Sequence, residues 1–115
     1  MLNAHALHAA ARRVSGKLGT AEQAIDESLE KTASLLASLP AARAAANLPV
    51  STGHKAIMRV LASLNAIAQA RDEMLAAHVE FAETGADLRL PEVGLGGLVP
   101  CPTEDSLRLV PSAVA

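Results

Sequence analysis

Four histidines, a single cysteine and a few serines are the residues of this chain whose chemistry could reach beyond packing. His5 and His8 stand three apart, which on a helix puts both rings on one face. A zinc or iron centre needs three or four converging donors. Here no carboxylate precedes Glu22, and there is no Glu-x-x-His step of the di-iron kind, so the pair reads as two exposed histidines. His54 falls in the first turn of a second helical segment. His78 occupies an apolar slot on the inner stripe of that segment, near Arg71, and reads as a semi-buried histidine satisfied by a neighbour. A pH-sensitive contact between copies is the sharper alternative for it.

Nucleophilic and phosphate-binding chemistry find no better support. Ser34, Ser38 and Ser63 lie in alanine-rich helical segments with no evident base and orienting acid. The run Gly94-Leu95-Gly96-Gly97 has neither the preceding strand nor the Lys-Ser/Thr ending of a phosphate loop, and reads as a linker. Cys101 stands alone, so it makes no internal disulfide and suits a reducing compartment. A helix-turn-helix can be drawn around Gly16, Gly19 and a helix from Ala21, but its reading helix would open with Glu22, Asp26 and Glu27, which phosphates repel. The expectation is a protein that is not an enzyme, with no catalytic residue, no cofactor, no metal and no small-molecule substrate.

What would position these residues is a pair of rods. On the first, Leu7, Ala11, Val14, Leu18, Ala21, Ile25, Ser28, Thr32, Leu35 and Leu39 recur in steps of four and three, a stripe along one helix face. On the second, Ile57, Val60, Leu61, Leu64, Ile67, Ala68, Met74, Leu75, Phe81 and Ala82 recur at similar intervals. The fold expected is all-α: a long antiparallel helical hairpin over residues 1–85, with a helix over about 2–39, a connector over 40–52 and a helix over about 53–84. An irregular tail containing proline and glycine follows over 86–115.

Local signals set these boundaries. Each of Gly16 and Gly19 weakens a helix by roughly 1 kcal/mol relative to alanine, and Thr20 with Gln23 has the form of a capping box, but the apolar phase passes through Val14, Leu18, Ala21 and Ile25 without a slip, so a continuous, weakened helix kinked at the glycines is expected. Pro40 ends the first rod, with one or two extra turns possible before Asn47 and Pro49. Ser51 or Thr52 caps the second, and Gly85 stops it. In the tail, the fragments from Asp87 to Pro91 and from Ser106 to Pro111 alternate apolar and basic residues. Either would suit a short strand, although chance recurrence explains them as well.

Composition then narrows the class. Hydrophobic residues make up 50% of the 115, yet there is one Phe and no Tyr or Trp, and alanine is the commonest residue. Alanine favours helices strongly and rewards their packing weakly, so a lone hairpin would be marginal and a second copy is the usual remedy. Net charge is −2 with scattered cations, which leaves no footprint for nucleic acid or an anionic membrane. The acid-rich run from Glu22 to Glu30 reads as a solvated face, with Glu27 and Lys31 spaced for a helical ion pair. Lys55, Arg59 and Arg71 read as a basic edge facing that acidic stretch, setting antiparallel register within a hairpin or between subunits.

Arg12 and Arg13 follow the apolar start instead of preceding it, the reverse of a secretory signal, and no apolar run reaches spanning length. A cytoplasmic protein of bacterial or phage origin is the default. The functional expectation is a non-enzymatic protein–protein interaction module, an assembly, adaptor or chaperone-like helical bundle that pairs with itself and with an unidentified protein. Its interface or core residues would be Leu18, Ile25, Leu35, Leu36, Leu39, Leu61, Leu64, Ile67, Leu75 and Phe81. The competing reading is a small transcriptional or DNA-associated regulator, acting directly or through a DNA-binding partner.

Overall fold

The computed structural model describes residues 3–90. Two long helices, α1 (Ala4–Ala45) and α2 (His54–Asp87), account for nearly all of them, and no strand occurs among the described residues. The fold is an all-α helical hairpin. Residues 1–2 and 91–115 lie outside the described part, and with them Gly94 to Gly97, Cys101 and the fragment from Ser106. Of the other alternating fragment, Asp87 closes α2 while Leu88 and Arg89 form a turn.

α1 opens on a side-chain cap: the backbone N–H of Ala6 donates to Asn3 Oδ1 at 3.1 Å, satisfying one of the donors a helix start leaves without a partner. It then runs unbroken through Gly16 and Gly19. The Thr20 hydroxyl, whose pairing with Gln23 has the form of a capping box, donates to Gly16 O at 3.0 Å within this one helix. A Cβ added at either glycine meets nothing within 4 Å, so their only effect on the rod is backbone entropy. Gly16→Ala and Gly19→Ala should each stabilise the fold by about 0.5–1 kcal/mol, visible as a rise in thermal midpoint. A fall in midpoint would mean that a bend at these residues matters.

Two expected boundaries are corrected. Pro40 does not end α1, which continues to Ala45 with the proline inside it. The residues beyond it, Ala41, Ala42, Ala44 and Ala45, are the strongest helix formers available, and Leu39 and Arg43, half-buried on either side, hold the last turns in place. Gly85 does not stop α2; it is buried within the helix, which runs on to Asp87.

Both helices end on the same device. At α1, Asn47 takes a left-handed φ of 55°, with Leu48 N–H donating to Arg43 O at 3.2 Å and Asn47 N–H to Ala44 O at 3.1 Å. At α2, Arg89 takes φ of 58°, with Leu90 N–H donating to Gly85 O at 2.8 Å and Arg89 N–H to Ala86 O at 3.0 Å. This is the Schellman pattern, normally completed by glycine or asparagine, and Arg89 is an unusual occupant of it. Between the helices, Thr52 N–H donates to Pro49 O at 2.9 Å and His54 N–H to Ser51 O at 3.2 Å, with Gly53 at φ 77° just ahead of α2. The positive φ explains glycine at that point, and neither Ser51 nor Thr52 supplies the side-chain cap expected of them.

The chain divides into two compact units. One is Glu22–Glu73, the turn with the helix halves on either side of it. The other joins the start of α1, up to Ala21, to the end of α2, from Met74. In the turn unit the half-buried residues of α1 are Glu22, Ile25, Leu29, Thr32, Leu36, Leu39 and Arg43, a strict alternation of three and four. Those of α2 are Ile57, Val60, Leu64 and Ile67, again in steps of three and four, and no residue of this unit is fully buried. In the terminal unit the buried residues are Ala11, Ser15 and Leu18 from α1 and His78 and Gly85 from α2.

Candidate functional site

These burial patterns amend the expected stripe. The seven-residue series Ala11, Leu18, Ile25, Thr32 and Leu39 is buried or half-buried, and so are its expected companions Leu7 and Ala21, but the other three companions are shifted by one position. Ser15, Leu29 and Leu36 face inward, whereas Val14, Ser28 and Leu35 are exposed, Leu35 retaining 50% of its accessible surface. Glu22 is likewise half-buried, so the acidic run is not wholly a solvated face. On α2, Leu64, Ile67 and Leu75 are half-buried, while Leu61 and Phe81 are exposed. Of the ten expected interface or core residues, Leu18 alone is fully buried; Leu35, Leu61 and Phe81 face solvent and the other six are half-buried.

Burial is thus scarce. Ala11 and Leu18 are the buried apolar residues of the described part. Polar groups occupy the seam beside them: His78 is only 2% exposed, deeper than Leu18 at 6%, and Ser15 is buried with no hydrogen-bond partner for its hydroxyl. His78 is more deeply buried than a semi-buried histidine, and Arg71, expected near it, forms its contact with Asp26 instead. A buried hydroxyl without a partner costs on the order of 1–3 kcal/mol. Ser15→Ala removes that group at almost no loss of volume, so it should raise the urea midpoint by an amount corresponding to about 1 kcal/mol. A destabilised variant would show that the hydroxyl is satisfied in solution.

Charges are distributed unevenly. Arg71 Nε donates to Asp26 Oδ1 at 2.7 Å, linking α2 to α1 across the turn unit. Both side chains are largely exposed, so the pair contributes less than about 1 kcal/mol and chiefly reports the antiparallel register. Arg71 is the one member of the expected basic edge that reaches the acidic part of α1. Lys55 and Arg59 follow soon after the turn, at the opposite end of the unit from Glu22 to Glu30, and make no ion pair among the described residues. The expected Glu27–Lys31 pair is not formed, whereas Gln69 Nε2 donates to Glu73 Oε1 at 3.2 Å on α2.

Among the described residues no three His, Cys, Asp or Glu side chains stand close enough together to hold a metal, and His5 and His8 are both exposed. No helix among the described residues is long and apolar enough to cross a membrane. Comparison with protein-family models, with curated proteins and with solved structures gives no match. Exposed apolar side chains include Met58 at 53% and Leu61 at 39% on α2 and Leu35 on α1, and Lys55 and Arg59 on α2 make no ion pair among the described residues. The sequence marks Lys55 and Arg59 as part of a basic edge, but neither the exposure of Met58 beside them nor the position of the two cations away from the acidic stretch. The signal was present in the absence of any acidic residue from Thr32 to Arg71.

Proposed function

We propose that this protein is a non-enzymatic interaction module, an assembly or adaptor element that works by associating with itself into a helical bundle and presenting that bundle to another protein. The observation that supports the reading is the disproportion between what the hairpin covers and what it leaves open. Two apolar residues are buried in the described part, while Leu35, Met58, Leu61, Val79 and Phe81 remain exposed. A two-helix hairpin with so little buried area is marginal on its own, and a second hairpin covering the open faces is the general solution for such chains. Alanine along both helices permits the close approach this requires.

Sedimentation equilibrium or light scattering on the full chain from low micromolar to millimolar concentration tests the reading. A mass rising to a defined multiple of the monomer, with a thermal midpoint that rises with concentration, is expected. A monomer throughout that range would overturn it. Duplex DNA serves as the control for the regulator alternative: binding that falls steeply with salt would favour that reading over this one.

A further inference from the structure

We infer that the second copy docks antiparallel against α2, along the exposed face formed by Lys55, Met58, Leu61, Asn65, Ala68 and Asp72. This inference rests on the self-association proposed above and adds its surface and direction. The six residues follow one another in steps of three and four, so they share one side of α2, and all six are exposed. They flank the seam residues Val60, Leu64 and Ile67 without belonging to the seam.

The order of chemistry along this face identifies its occupant. It begins with a cation at Lys55, passes through the apolar pair Met58 and Leu61, then the small or neutral Asn65 and Ala68, and ends with an anion at Asp72. At 1.5 Å per residue the two charges stand about 26 Å apart. Neither makes an ion pair among the described residues, because Arg71 takes Asp26 and the carboxylates of α1 lie at the other end of the unit from Lys55. A face that is positive at one end and negative at the other is complementary to its own reversed copy. A two-fold axis crossing α2 near Ser63 and Leu64 brings Lys55 against Asp72 of the partner subunit, and Asp72 against Lys55 of the partner subunit. A parallel arrangement would set like charges opposite each other at both ends. The pattern is the isologous contact of a closed dimer, which needs no second kind of surface and does not propagate into a fibre.

The rest of the turn unit carries the same polarity. From Thr32 to Arg71 the sequence contains no acidic residue, while Arg43, Lys55 and Arg59 cluster near the turn. Glu27 and Glu30, at the far end, make no ion pair among the described residues. The antiparallel copy brings basic ends onto acidic ends over the whole unit, so the polarity of α2 is reinforced by that of α1.

Charge reversal tests the arrangement. In the full chain, Lys55→Asp and Asp72→Lys each turn two attractive contacts per dimer into repulsive ones, and each should raise the dimer Kd at least tenfold, with ~1.4 kcal/mol corresponding to each factor of ten. Lys55→Asp combined with Asp72→Lys in one chain restores opposite charges at both ends and should recover the wild-type Kd to within a few-fold. Wild-type association should weaken as salt rises. Both positions are exposed, so helicity by circular dichroism should be unchanged in every variant, which separates lost docking from lost folding. A wild-type protein that associates while both single reversals leave Kd unchanged, or a double variant that stays as weak as the singles, would overturn the antiparallel face and leave self-association standing. A monomeric wild type would overturn both.

Discussion

Pro40→Ala should stabilise the protein by about 3 kcal/mol. Proline inside a helix lacks the N–H that would bond to the carbonyl four residues back, here that of Leu36, and its ring crowds the same carbonyl. α1 nevertheless continues past Pro40 to Ala45. Leu39 and Arg43 face inward while Pro40 is exposed, and Arg43 Nη1 donates to Leu48 O at 2.9 Å, tying the last turn to the connection that follows. The closing bonds at Asn47 and Leu48 fix the end of the helix beyond the proline. Packing and termination therefore impose a helix that the local sequence opposes, and alanine removes the opposition without touching a buried contact.

Since a domain of this size gains roughly 4–8 °C per kcal/mol, a midpoint rise on the order of 10 °C is expected at fixed protein concentration. Pro40→Gly is the informative control. It restores the N–H but keeps a poor helix former, so it should give about 1 kcal/mol less stabilisation than alanine. If neither variant is more stable than the wild type, the helix does not run through this position in solution.

The same competition between local signal and packing decides how much of the molecule was legible beforehand. Two rods, their antiparallel pairing and the series Ala11, Leu18, Ile25, Thr32 and Leu39 follow from periodicity, because a seven-residue repeat survives any small error in helix phase. The companion positions did not follow. Val14 is more apolar than Ser15, so local hydrophobicity favours the step of three from Ala11 where the fold uses the step of four, while after Leu18 the fold half-buries both Ala21 and Glu22. A facing helix can impose that choice at every turn, and a single stripe cannot show it. The ends of the helices were misjudged for a related reason: Pro40 and Gly85 are breakers by type, while the left-handed residues that close the helices are Asn47 and Arg89. The docking face was hidden by the search for apolar runs, since its distinguishing feature is the order of charges along α2.

Leu18→Ala should cost about 2–5 kcal/mol, the range seen when a buried leucine leaves a space that its surroundings only partly fill. Leu18 is 6% exposed and is the largest buried apolar side chain of the described part, where Ala11 is the other buried apolar residue. Small domains hold a net stability of only 5–15 kcal/mol, so a loss near the upper end of that cost would leave much of the population unfolded at 37 °C. Leu35→Ala is the matched comparison, with the same atoms removed from the same helix at a position half exposed. If the seam is where burial places it, Leu35→Ala should change stability by no more than about 0.5 kcal/mol under dilute, monomeric conditions. Urea titrations of the two variants, read with equal m-values, separate the alternatives. Equal losses at Leu18 and Leu35 would mean that the inward face of α1 passes between them, and that the one-residue shift of the seam assigned to Ser15, Leu29 and Leu36 is wrong.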